Sequence, residues 1–261
     1  MTHEGVWVYA IADHAGGDVF LPAGVAGTPV RARAAAGLTV LASNVDLAEF
    51  GEAALRRNLE NLEWLEDVAR AHHHVVDAAV RLFPVLPARF GTVYRADASM
   101  VAAFAERGDE LRGALARVGG RMEWGVKAYA VPEQRPDRRT REEDGAQPVA
   151  ATQPGAGMAY LNRRRMQLSA RRESSRTAVA SAREVHVELS GHAAQTRLYP
   201  PQAPALSGTK APMLLNAAYL LDAGSAAGFG SLVAAAAAAH PDLRLDLTGP
   251  WPPYSFAGQE N

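Results

Sequence analysis

Between Arg121 and Ala130 the chain alternates with period two. Met122, Trp124, Val126, Ala128 and Ala130 take one side, and Arg121, Glu123, Lys127 and Tyr129 take the other. Successive strand side chains point to opposite faces, so this run demands a sheet with one face in a core and a wetter one behind it. Half-buried strands of this kind belong to antiparallel sheets, and helices must cover the buried face. The preceding residues supply suitable elements. Residues 6–11, with Trp7 and Tyr9, read as a strand, and Gly16-Gly17 with Pro22 as a hairpin or loop. Residues 37–41 form another strand, ending at Ser43-Asn44, and Asp46 with Glu49 caps a short helical turn. From about residue 52 to 82, Leu55, Leu59, Leu62, Leu65, Ala69, Val76 and Phe83 make one apolar stripe, predicting a single helix of about 45 Å. Pro84 stops it, and residues 85–90 should be a strand, with Pro87 marking an edge or an irregular start. A second helix, capped by Asp97 and ended by Gly119-Gly120, would bury Met100, Phe104, Leu111, Leu115 and Val118. This order predicts an α+β sandwich with ferredoxin-like features over residues 1–131.

Composition then breaks. Residues 132–157 hold four prolines, four arginines and five acids but almost nothing large and apolar, as expected of a flexible loop or linker. From Met158 to about Leu189 the pattern is helical and begins strongly basic: Arg163, Arg164, Arg165, Arg171, Arg172 and Arg176 face only Glu173. Pro200, Pro201 and Pro204 mark a loop, and residues 212–222 read as a central strand. An alanine-rich helix at 226–239 and an alternating strand at Leu243, Leu245 and Leu247 follow. Residues 158–248 therefore read as a second α/β domain with a long basic helix, and 249–261 as a proline- and aromatic-rich tail. The expected whole is α+β: two sandwich domains with ferredoxin-like features, a charged proline-containing loop between them, and the tail.

Several function classes lose their footing. The 261 residues include no cysteine, which excludes thiol catalysis, cysteine–zinc sites and iron–sulfur clusters. A net charge of −1 gives no bulk field for polyanions. The amino terminus carries Glu4 and only a short apolar run, unlike a signal peptide, so a cytoplasmic protein is expected. Residues 223–239 are too rich in alanine and glycine for a membrane span and suit close packing on a sheet. His72-His73-His74 diverge by 100° per residue on a helix and cannot converge on one ion. Gly224 to Gly230 lacks the GxGxxG order, and there is no G-x-S-x-G elbow. No catalytic residue, cofactor or metal site is assigned, and the chain reads as a non-enzyme. Arg163, Arg164 and Arg165 could hold phosphates by charge alone, or simply be a solvated face. In the tail, Trp251, Tyr254 and Phe256 are costly to leave in water and must pack on the chain or dock on a partner.

Taken in order, particular segments resemble the GvpL/GvpF family of gas vesicle proteins over essentially the full length. They are VWVYAI at 6–11, LENLEWLE at 59–66, VLPARFGT at 85–92, EWGVK at 123–127 and GMAYL at 157–161. LNAAYLL at 215–221 and TGPWPPYSF at 248–256 complete the set. The resemblance implies a non-enzymatic accessory or minor structural component of the gas vesicle, found with the vesicle or in the cytoplasm. It also implies binding to the small hydrophobic shell protein, and to other accessory proteins, during assembly. The candidate partner-binding residues are Arg89, Lys127, Arg163, Arg164, Arg165, Trp251, Tyr254 and Phe256. The alternative is a ferredoxin-like regulatory or nucleic-acid-binding module that uses the arginine-rich helix.

Overall fold

Strand β1 (Glu4–Ala12) is enclosed along nearly its whole length. Trp7, Tyr9 and Val8 cannot all face one core in a regular strand, so the sheet must be covered on both sides. The computed structural model, which describes residues 4–13, 20–131, 156–202, 209 and 211–258, shows how. β1 lies between β3 (Leu38–Asp46) and β4 (Val85–Pro87) in an antiparallel sheet whose far edge is β2 (Arg31–Ala35). β5 (Val93–Tyr94) pairs with the start of β1. The β1–β3 register slips between Val8 and Ala10, a bulge that lets adjacent residues share a face. Trp7, Tyr9, Ala10 and Ala12 thus enter one core, and Val6, Val8 and Ile11 another. Pro87 sits on an edge strand, where its missing N–H costs nothing.

The first core is closed by α1 (Leu47–Phe50), α2 (Glu52–Asn58) and α3 (Leu62–Leu82), and Asp46 caps α1 by accepting from Ala48 N at 2.9 Å. The single long helix expected over 52–82 is broken. Asn61 turns its side-chain oxygen onto the amides of Glu63 and Trp64 and starts a new helix. The break resets the helical phase, so Leu62 is left in water while Val68, His72, Val75, Val76 and Ala79 face the sheet.

The second core is closed by α4 (Asp97–Glu106) and α5 (Gly108–Val118), which bury the five residues expected of them. The cap of α4 is Ala96, not Asp97. Ser99 Oγ accepts from the Ala96 amide and donates to its carbonyl, while Asp97 in the first turn pairs with Arg33.

The second sheet runs β7 (Gln195–Leu198), β8 (Met213–Asp222), β6 (Arg121–Ala130), β9 (Leu243–Trp251), all antiparallel. β6, read from the sequence as the last strand of the first unit, is therefore a central strand of the second. Length explains it: ten residues match the ten of β8, and the Arg121–Asp222 ion pair at 2.8 Å pins one end, whereas β4 offers only three. Helices α6 (Ala156–Ser190) and α7 (Ala223–Ala239) cover the face carrying Trp124, Val126 and Ala128. Among the described residues no helix is long and apolar enough to cross a membrane. The loop expected at 132–157 falls almost wholly outside the described residues.

Candidate functional site

The tail is where the two sheets are tied together. β9 passes beside Trp124 into Gly249, whose φ of +119° suits only glycine, and a Cβ there would come within 2.8 Å of the Glu123 carbonyl. Pro252 and Pro253 are buried, and a 3₁₀ turn at Tyr254–Phe256 follows. Phe256, 5% exposed, joins a core cluster that contains Val6, Val8 and Leu86 of the first sheet with Ala218 and Leu220 of the second. Tyr254 packs on the other first-sheet core, its ring 6.2 Å from that of His72. Burial, with Asp77 nearby, pushes its phenol well above the ordinary value.

Ser255 is held on both sides. Its amide donates to Glu123 Oε2 at 2.8 Å, its hydroxyl to Glu123 Oε1, and its carbonyl accepts from Arg197. Burial raises the Glu123 carboxyl above its usual range, partly offset by the two Ser255 bonds and by Arg197. Beyond this latch a cavity of about 620 Å³ opens between β1, α4 and the tail, with Tyr94, Phe104, Arg107 and Gly258 on its walls. Arg107 is clamped by both oxygens of Glu110, at 2.9 and 2.7 Å.

The structure scatters the sequence candidates rather than gathering them. Arg89 is exposed at the cavity rim against Gly258. Lys127 lies on the open face of β6 and donates to Gln202 Oε1 at 3.1 Å. Arg164 and Arg165 are exposed on α6; the side chain of Arg163 lies outside the described set. Trp251 is 45% exposed with its ring centroid 5.4 Å from that of His73, whereas Phe256 is enclosed by the chain itself.

His72 is almost wholly buried, facing the first core. Trp7 Nε1 donates to its Nδ1 at 3.0 Å, which leaves the proton of the neutral ring on Nε2. Nε2 is buried without closing a hydrogen bond, although the Ala88 carbonyl favours the charged ring slightly. Burial, then the neighbouring His73, lower its pKa to about 4. The available clue was Trp7, an indole in a doubly buried strand that needs an acceptor. Glu123 carried no such clue, since alternation alone places it on the wetter face. Among the described residues no group of three or more histidines and carboxylates could hold a metal ion.

A family model described as "Gas vesicle synthesis protein GvpL/GvpF" matches residues 5–258. A gas vesicle protein L of Streptomyces sp. (strain CB03234) is 38% identical over 90% of this chain and 85% of its own length. One from Haloferax mediterranei is 27% identical over 76% of this chain and 63% of its own. The crystal structure of gas vesicle protein GvpF from Anabaena sp. PCC7120 superposes with a TM-score of 0.64 at 20% identity, covering 99% of this chain and 98% of that one. The GvpF structure from Microcystis aeruginosa gives 0.65 at 19% identity, covering 98% of this chain and 99% of that one. These two likenesses concern the fold.

Proposed function

Because the chain belongs to the GvpL/GvpF family of gas vesicle proteins, we propose that it assists vesicle assembly by holding the small hydrophobic shell protein through protein–protein contacts. The observation that carries this reading is the extent of the likeness: it runs from residue 5 to 258, so both sheets and the tail belong to one inherited unit. A shell subunit exposes apolar surface until its lattice forms, and a water-soluble partner that covers that surface would keep it assembly-competent. The role is non-enzymatic, and the place of action is the vesicle or the cytoplasm around it.

The test is retention of this protein by tagged shell protein on co-expression. Deleting the tail is a poor control, because Phe256 is part of the core and its loss would disturb the fold. A charge reversal at an exposed position, such as Arg89→Glu, keeps the fold and reports on the surface. Wild-type retention is expected. With both proteins soluble and this one folded, no retention would overturn direct binding.

A further inference from the structure

Helix α6 outruns the domain it belongs to. Its carboxyl-terminal half is anchored: Ala178, Ala182, Val185 and Leu189 pack on the second sheet, Ser181 Oγ donates to Asp242 Oδ2 at 2.9 Å, and His186 Nδ1 meets the Tyr219 hydroxyl at 2.9 Å. Upstream of Ala178 every described side chain is exposed back to Met158, an arm of about 30 Å at 1.5 Å per residue. That arm is not merely polar. Leu161 and Leu168 are 55% and 47% exposed. They open two successive seven-residue repeats of the form Leu-x-x-Arg-Arg-x-x, with Arg164 and Arg165 in the first and Arg171 and Arg172 in the second.

A seven-residue spacing sets the two leucines on one side of the helix, two turns apart. The arginines three and four positions on lie along either edge of that stripe. Only one of the two seam positions in each heptad is apolar and the other is an arginine, so the arm offers a narrow leucine line bordered by cations. None of these four arginines makes an ion pair among the described residues. A second copy of the arm would set arginine against arginine, which disfavours self-pairing. Nor does residues 132–155 of the same chain offer a match, since the stretch contains no leucine and nearly balanced charge. Phosphate binding would use the arginines but leave the leucines unexplained.

We propose that the arm is a docking helix for an acidic amphipathic helix of a partner protein, leucine stripe to leucine stripe with carboxylates over Arg164, Arg165, Arg171 and Arg172. The assignment stands independently of shell-protein binding. The test uses the full-length protein and two synthetic peptides of three heptads. One carries leucine at the matching heptad positions and glutamate beside them; the other is a scramble of the same composition. Fluorescence anisotropy should show the ordered peptide binding about tenfold tighter or more, because only it aligns apolar and charged stripes together. The double variant Leu161→Ser/Leu168→Ser, exposed and therefore folded, should bring the ordered peptide down to the scramble. Equal affinity of wild type for both peptides, or no binding to either, would overturn the proposal. So would tighter binding of a single-stranded oligonucleotide, or self-association that the leucine variant abolishes.

Discussion

His72 is neutral because of what encloses it, and that makes the protein's stability depend on acid. With a folded pKa near 4 against an ordinary 6.5, the unfolded chain binds the proton first as pH falls. Stability is therefore full above about 6.5 and is lost progressively between there and 4, by about 3 kcal/mol in all. His186, also lowered by burial, acts in the same direction, while Glu123, raised by burial, acts against it. His72→Gln isolates the ring's share, because an amide can still accept from Trp7 Nε1 and does not titrate. Urea unfolding from pH 7 to 4.5 should give a clearly flatter stability profile for His72→Gln than for wild type. Parallel profiles would mean that the folded state leaves the His72 ring as free to take a proton as the unfolded chain does.

Among the elements, the break between α2 and α3 turns on one side chain. Asn61 accepts from the amides of Glu63 and Trp64, at 3.1 and 3.3 Å, two of the first-turn donors that a helix leaves without an intrahelical partner. Asn61→Ala should cost about 1 kcal/mol in chemical denaturation, whereas Asn61→Ser should recover most of it. If alanine is neutral, the break is set by packing below it and not by the cap. The same element shows why sequence reading stopped where it did. Leu55, Leu59, Leu62 and Leu65 keep helical spacing across the break, and periodicity counts residues without seeing that a cap has reset the phase. In contrast, the alternation at 121–130 placed Trp124, Val126 and Ala128 correctly under the helices, but Tyr129, expected on the wetter side, is buried beyond a register shift at Ala128. Which sheet the strand would join was not legible, since period two says nothing about a partner. β2 escaped because Arg31, Ala32, Arg33 and Ala34 carry little strand propensity, and its pairing comes from the turn at Ala36-Gly37, both with positive φ. The aromatics of the tail announced that they would seek burial, but where they would land depends on a sheet built from the first part of the chain.

At the scale of the whole molecule, that landing place decides how the protein unfolds. Phe256 leaves the last strand of the second sheet and packs with Val6, Val8 and Leu86 of the first, beside Ala218 and Leu220 from the second. The Glu123–Ser255–Arg197 latch fastens the same segment from the side. The two sheets thus share a core, and removing part of it should both destabilise and uncouple them. Phe256→Ala should cost about 3–5 kcal/mol, the range for truncating a buried phenylalanine, and Leu220→Ala about 2–5 kcal/mol. Their place in one shared cluster makes the pair non-additive. Calorimetry should show one cooperative transition for the wild type, with the measured enthalpy equal to the van't Hoff value. The double variant should separate it into two, because each sheet retains its own helix-covered core, one under α3 and one under α6 and α7. Two transitions already in the wild type would show that the shared cluster contributes too little to couple the sheets. A single lowered transition in the double variant would place the coupling elsewhere, with the packing of Tyr254 on His72 and the direct run from α5 into β6 the next contacts to break.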